Sequence, residues 1–229
     1  MAKKESSFKN MVITLSVITL ASSAIMGGIY ILTKDPIEVA NIAKTNLAIA
    51  EVVPVFDNNP SQDIIKHAIS EGDTLSLYPA KKDDALVGVA VLTTTNKGFS
   101  GKITMMVGFL PDGTIYNTAV ISHAETPGLG DKIVKSKGSA IQLWKYVFPK
   151  LGNTEGKKEF SVQFEGKNPK TFNMSVKKDG GDVDAITAST ISSRAFCNAI
   201  ERAYIAFCEE ILGETTAWDG VSGATTNEY

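Results

Sequence analysis

From Met11 to Leu32 the chain runs through MVITLSVITLASSAIMGGIYIL without a charge, after Lys3, Lys4 and Lys9 and before Lys34 and Asp35. At about 1.5 Å per residue this stretch reaches roughly 33 Å, the hydrocarbon thickness of a bilayer, and predicts one transmembrane helix over 11–32. A cleaved leader is the other reading, with Ser22, Ser23 and Ala24 suited to a peptidase. The apolar run continues beyond that point, however, and exceeds the roughly 7–15 residues of a leader core. Three lysines before the helix and no comparable cluster just after it predict a cytoplasmic N-terminus, residues 1–10, with the rest of the chain outside the cytoplasm.

Beyond the anchor the apolar period is helical from Ile37 to Val53, through Val39, Ile42, Ala43, Leu47, Ile49 and Ala50. A second short helix is expected over Ser61–Ser70, which makes 33–75 a membrane-proximal helical segment. From Leu75 the period changes. Ala85–Thr95, Gly101–Phe109 and Thr114–Ser122 read as strands, the last two joined by the turn Pro111-Asp112-Gly113. Phe160–Phe164 and Thr171–Val176 read as a strand pair around a turn at 166–169, after a helix near Ser139–Phe148. The period returns to three and four from Ser192 to Leu212, with Phe196, Ala199, Ile200, Ala203, Phe207 and Ile211 on one face. The expected fold is therefore α+β: an antiparallel meander packed with helices over 76–229, behind one membrane helix.

Charge and composition narrow the chemistry. With 23 Lys and Arg against 25 Asp and Glu, the net charge of −2 gives no electrostatic reason to bind nucleic acid. Two Cys and two His cannot supply a four-cysteine cluster or the usual zinc frameworks, so no metal is expected, and electron chemistry would need an organic cofactor. Cys197 and Cys208 lie about 16 Å apart along a helix, too far for a disulfide, and read as reduced core residues. Gly128-Leu129-Gly130 is followed by Ile133 where a dinucleotide fingerprint needs a third glycine, and no P-loop is present. Gly220-Val221-Ser222-Gly223 lacks the spacing and the downstream histidine of a hydrolase.

Two segments exceed what packing requires. In the first, His123-Ala124-Glu125-Thr126-Pro127-Gly128-Leu129-Gly130, two glycines and a proline shape a tight loop after a strand, where backbone amides can approach a planar ligand and His123 and Glu125 offer polar groups at its rim. An ordinary turn with a solvated histidine is the plain alternative. In the second, Asp182-Val183-Asp184-Ala185-Ile186-Thr187-Ala188-Ser189-Thr190-Ile191-Ser192-Ser193, five hydroxyls around small Ala188 lead into the last helix, whose N-terminal amides favour a phosphate. That segment holds no Lys or Arg. Ser192 or Ser193 serving as an ordinary helix cap is its plain alternative.

With these motifs, the Val52-Val53-Pro54-Val55-Phe56-Asp57 segment and the Gly98-Phe99-Ser100-Gly101 turn, the chain resembles the G subunit of the Rnf electron-transport complex over nearly its whole length. The C subunit of the sodium-translocating NADH:quinone reductase is a close relative of that family. The resemblance implies an FMN joined through its phosphate to a threonine in a motif near Asp-x-x-(Ser/Thr)-Gly-Ala-(Thr/Ser)-x-(Ser/Thr), attached by a separate flavin transferase using FAD. Residue by residue this gives Asp184, Thr187 and the acceptor Thr190, with Ser192 at the following hydroxyl position. Ala188-Ser189 stand where the family has Gly-Ala. A rival match at Asp219–Asn227 places the acceptor at Thr225 but lacks the final hydroxyl and a following helix.

The implied role is an electron-carrier subunit, not an independent catalyst, in a bacterial inner-membrane complex that couples electron transfer to Na⁺ or H⁺ movement. The implied flavin site comprises His123, Glu125, Thr126, Pro127, Gly128, Leu129 and Gly130 together with Asp184, Thr187, Ala188, Ser189, Thr190 and Ser192. Two other readings stay open: a membrane-anchored flavin reductase acting alone, and an assembly or binding subunit without attached flavin.

Overall fold

The computed structural model describes residues 8–69, 73–134 and 160–214. They fall into two units divided between Thr45 and Asn46. One helix, α1 (Phe8–Val52), contains the apolar stretch and continues through Pro36, where the sequence pattern predicts a break between two helices. A proline inside a helix removes one backbone hydrogen bond but does not oblige the chain to stop. Within the apolar stretch and at its end Thr14, Thr19 and Thr33 donate their hydroxyls to Asn10, Leu15 and Ile29 carbonyls at 2.7, 3.0 and 2.9 Å. Their polar groups are thereby satisfied within the helix itself, as a lipid environment demands. By length and composition α1 is the one helix among the described residues able to cross a membrane.

The second unit is built on five antiparallel strands in sequential order: β1 (Ile65–Ala68), β2 (Thr74–Lys82), β3 (Ala85–Thr95), β4 (Ile103–Phe109) and β5 (Ile115–Ser122). Side-chain alternation divides two cores between the faces of this sheet. Leu75, Leu77, Val89, Val91, Met105 and Val107 point towards α2 (Thr190–Phe207). Tyr78, Ala80, Ala90 and Met106 pack with Ala48, Ile49, Val52 and Val53 at the end of α1. Gly108 admits that helix end, because a Cβ there would run into the carbonyl oxygen of Val52. The Asn117 amide donates to the Glu51 carbonyl at 2.9 Å and ties the same junction to β5.

The meander and its α+β class agree with the pattern of the sequence, and three local expectations do not. The helix expected over 61–70 contains β1 instead, paired with β2 from Ile65↔Leu77 to Ala68↔Thr74. Ile64, Ile65, Ala68 and Ile69 fit a helix as well as a strand, and over so few residues pairing to a neighbour decides. The β2–β3 turn passes unmarked in sequence: Asp83 and Asp84 take φ of 51° and 62°, the double left-handed geometry of a type I′ hairpin usually signalled by glycine. The expected strand Phe160–Phe164 is a 3-10 turn that buries Phe160, Ser161 and Phe164 and leaves Val162 outside. Both phenylalanines close on Phe196 with ring centroids 5.2 Å away, so helical spacing serves this contact where period two would not. Its expected partner, Thr171–Val176, makes one parallel bridge, Val176↔Val183.

The last helix begins at Thr190, two residues before the expected start, and closes in a π-turn (Cys208–Leu212) capped by left-handed Gly213. Cys197 and Cys208 are free and buried on it, as expected. The helix expected near 139–148 and the rival acceptor Thr225 lie outside the described residues.

Candidate functional site

The centre of the site is Glu125, expected at a rim but only 5% exposed. Its Oε2 accepts the Ser192 hydroxyl at 2.6 Å, and its Oε1 accepts the Ser100 amide at 3.3 Å. One carboxylate thus joins the loop after β5 to the turn after β3 and to the first turn of α2. Short hydroxyl-to-carboxylate bonds are among the stronger protein hydrogen bonds. Two glycines make room for it. A Cβ on Gly130 would stand 2.6 Å from Glu125 Oε2 and 2.8 Å from Ser192 Oγ, and one on Gly98 would stand 2.6 Å from Glu125 Oε1.

The rest of the 123–130 loop surrounds this junction. His123 is half-buried, and its Nδ1 accepts the Glu125 amide at 3.2 Å, which turns the carboxylate inward. The Thr126 carbonyl accepts the amides of Leu129 and Asp131 at 3.2 and 3.4 Å. Gly128 takes φ of 80°, a torsion that favours glycine. Thr126, Pro127, Gly128 and Leu129 face solvent, whereas Gly130 is buried. Three exposed apolar side chains adjoin residues that touch Glu125: Phe99 beside Ser100, Leu129 beside Gly130 and Ile191 beside Ser192, exposed by 67, 41 and 47%.

The hydroxyl segment does not act as an ordinary cap. Ser189 occupies the cap position of α2, with φ −139° and ψ 44°, and makes no side-chain hydrogen bond to the first turn. Ser193 instead accepts the Ile186 amide at 3.0 Å and donates to the Ser189 carbonyl at 2.9 Å, which folds the approach to the helix back on itself. Ser192 is committed to Glu125. The first-turn amides at Thr190, Ile191 and Ser192 are therefore left without a capping side chain, at the positive end of the helix dipole. Thr190 is half-buried, and Thr187 and Ala188 are, respectively, exposed at the segment's edge and beside it. Ala188 has φ of 64°, so an alanine holds a left-handed torsion here.

The Asp184 carboxylate pairs with Lys177 at 2.7 Å, and its amide donates to Gln163 at 2.8 Å. The sequence pattern missed a cation. Lys178, on the short 3-10 turn Lys177–Asp179, places its Nζ 3.4 Å from Thr190 Oγ1, although twelve residues separate the two. No motif signals that approach. Among the described residues no group of His, Cys, Asp and Glu could hold a metal ion.

The FMN-binding domain family matches residues 98–205, a span that opens at the Gly98 turn and takes in the 123–130 loop and the start of α2. The G subunit of the ion-translocating oxidoreductase complex of Erwinia tasmaniensis is 35% identical over 210 residues, covering 90% of this chain and 91% of that protein. The G subunit of Haemophilus influenzae strain PittEE is 34% identical over 200 residues, covering 83% and 85%. That of Pasteurella multocida is 31% identical over 209 residues, covering 88% and 94%. The chain belongs to the G-subunit family of ion-translocating oxidoreductase complexes and contains an FMN-binding domain.

Proposed function

We propose that Thr190 carries FMN through a phosphoester and that the chain relays electrons singly between neighbouring redox subunits of a membrane complex. The observation that carries this reading is Thr190 at the uncapped start of α2, with Ser192 bonded to Glu125 of the 123–130 loop. Helix amides without a capping side chain suit a phosphate oxygen, and the apolar surfaces of Phe99, Leu129 and Ile191 suit a flavin ring. When bound, FMN supplies the redox chemistry. The residues of this chain hold its phosphate, orient its ring and set the polarity around it, with His123 and Glu125 the groups best able to tune its potential.

In this proposal α1 anchors the protein in the bacterial inner membrane, with the N-terminus in the cytoplasm and the FMN-binding domain outside it. The other membrane subunits deliver and receive electrons and move the coupling ion, because α1 has no ionisable residue within its apolar stretch apart from the phenol of Tyr30. A flavin transferase attaches the cofactor during maturation. A covalent link keeps the flavin on a protein that cannot recover it from outside the cytoplasm.

Intact mass and peptide mapping of the wild type, Thr190→Ala and Thr225→Ala, each made together with a flavin transferase, test the attachment. One FMN on the peptide containing Thr190, lost in Thr190→Ala and kept in Thr225→Ala, is the expected result. Flavin retained by Thr190→Ala overturns it. Migration of the native protein without other redox subunits would favour a stand-alone reductase.

A further inference from the structure

Resting on the reading of Thr190 as the flavin acceptor, we infer that Lys178 is the cation of the phosphate seat, holding the anionic phosphate both as it is transferred and after it is attached. Two cations beside Lys178 and the first turn of α2 are occupied by carboxylates. Arg194 grips Asp179 through Nε and Nη2, at 2.7 and 2.6 Å, and Lys177 pairs with Asp184 at 2.7 Å. Lys178, between them in sequence, directs its ammonium to the Thr190 hydroxyl at 3.4 Å.

The turn that presents it is firmly built. The Lys177 amide donates to the Val183 carbonyl at 2.8 Å, the Val183 amide to Ser175 at 3.1 Å and the Gly181 amide to Val176 at 3.2 Å. Gly180 takes φ of 85°, and a Cβ on Gly181 would run into the Ser175 backbone, so two consecutive glycines fix the path just after Lys178 and Asp179. The Asp179–Arg194 pair then ties the same turn to α2 one turn beyond Thr190, and Arg194 holds the Asp179 carboxyl below its usual range. The backbone at Lys178 is therefore fixed near Thr190 by bonds that do not involve the lysine side chain.

In attachment, a bond forms between Thr190 Oγ1 and the FMN phosphorus of FAD. The pyrophosphate bond breaks, AMP leaves with the bridging oxygen, and the hydroxyl proton is released. The phosphodiester that remains keeps one negative charge beside the ammonium. Lys178 touches the acceptor and its phosphate, and a point charge on a flexible stem can follow the phosphate from one position to the other.

Time courses of flavin attachment to the full chain, with a flavin transferase and FAD, test the inference in Lys178→Gln, Lys178→Glu and Lys178→Arg, read by in-gel fluorescence and intact mass at low and high salt. Lys178→Gln is expected to label roughly threefold more slowly and Lys178→Glu about tenfold, while Lys178→Arg stays near wild type. Added salt should slow the wild type more than Lys178→Gln. Fluorescence anisotropy of the attached flavin should fall in Lys178→Gln, a change in cofactor mobility that altered transferase docking would not cause. Because Lys178 is exposed, the unfolding midpoint of each variant should match the wild type, which separates this effect from misfolding. Wild-type labelling rates and anisotropy in both Lys178→Gln and Lys178→Glu overturn the inference. Flavin retained by Thr190→Ala overturns the reading beneath it instead.

Discussion

The two halves of the site differ in how completely their polar groups are matched. Around Glu125 the carboxylate accepts a hydroxyl and an amide, two glycines give it space, and the loop after β5, the turn after β3 and the first turn of α2 meet there. At 187–190 the cap position makes no capping bond, an alanine sits at φ 64°, and the Thr190 hydroxyl meets an exposed lysine. The first half is a closed junction and the second an open edge. The amides of an uncapped helix start are met by water or by a ligand, so the open edge keeps a place for a phosphate that the closed junction does not.

Variants at each half should separate these roles. Glu125→Ala removes a buried acceptor and strands the Ser192 hydroxyl, so a loss of about 3 kcal/mol in urea unfolding is expected. A loss below about 1 kcal/mol would mean the junction does not hold the three segments together. Glu201 gives the contrasting case, a carboxyl 7% exposed on α2 whose burial pushes its pKa up to about 7 from 4.5, against the opposing pull of Lys97. Between those two values the folded protein keeps a proton that the unfolded chain has released, so stability falls as pH rises through that window and levels off above it. Glu201→Gln should flatten the fall and gain about 2 kcal/mol at the alkaline end, read by urea unfolding across pH. A wild type whose stability stays level over that range would refute it.

Smaller effects belong to the open edge. Ala188→Gly should raise stability by about 1 kcal/mol by relieving the left-handed torsion, and should speed flavin attachment; a loss of stability would show that the torsion is not strained. Ser189→Ala should cost less than about 0.5 kcal/mol, where a working serine cap would cost about 1. A larger loss in thermal unfolding would show a cap in solution and bring the two halves closer in kind.

Legibility in the sequence followed the length of each pattern. The strands β3, β4 and β5 and the helix α2 carry their period over enough residues to be read directly, and the Pro111-Asp112-Gly113 turn is made by Leu110 and Thr114 as its chemistry suggests. Four-residue β1 and the turn at Phe160–Phe164 owe their form to partners distant in sequence, β2 and Phe196. Within the site, the 123–130 loop and the hydroxyl segment stand out by composition, and the family resemblance singles out Thr190. The bond that joins them, Ser192 to Glu125, spans 67 positions. Lys178 reaches Thr190 through a turn whose shape depends on Val176 meeting Val183, and no local spacing encodes such a meeting.

The sequential order of the sheet bears on how the domain is made. Each strand from β2 to β5 lies against the one synthesised just before it, so the sheet can grow by short-range closure, at little loop-closing entropy per step. The face bearing Leu75, Val89 and Met105 nevertheless lacks the cover of α2 until that helix emerges, well after β5 ends at Ser122. A chain interrupted before Thr190 would thus display a finished meander with part of its apolar side bare, a form open to aggregation and to proteolysis. On the reading of Thr190 as the flavin acceptor, a label there would also report that the helix closing this face has been made.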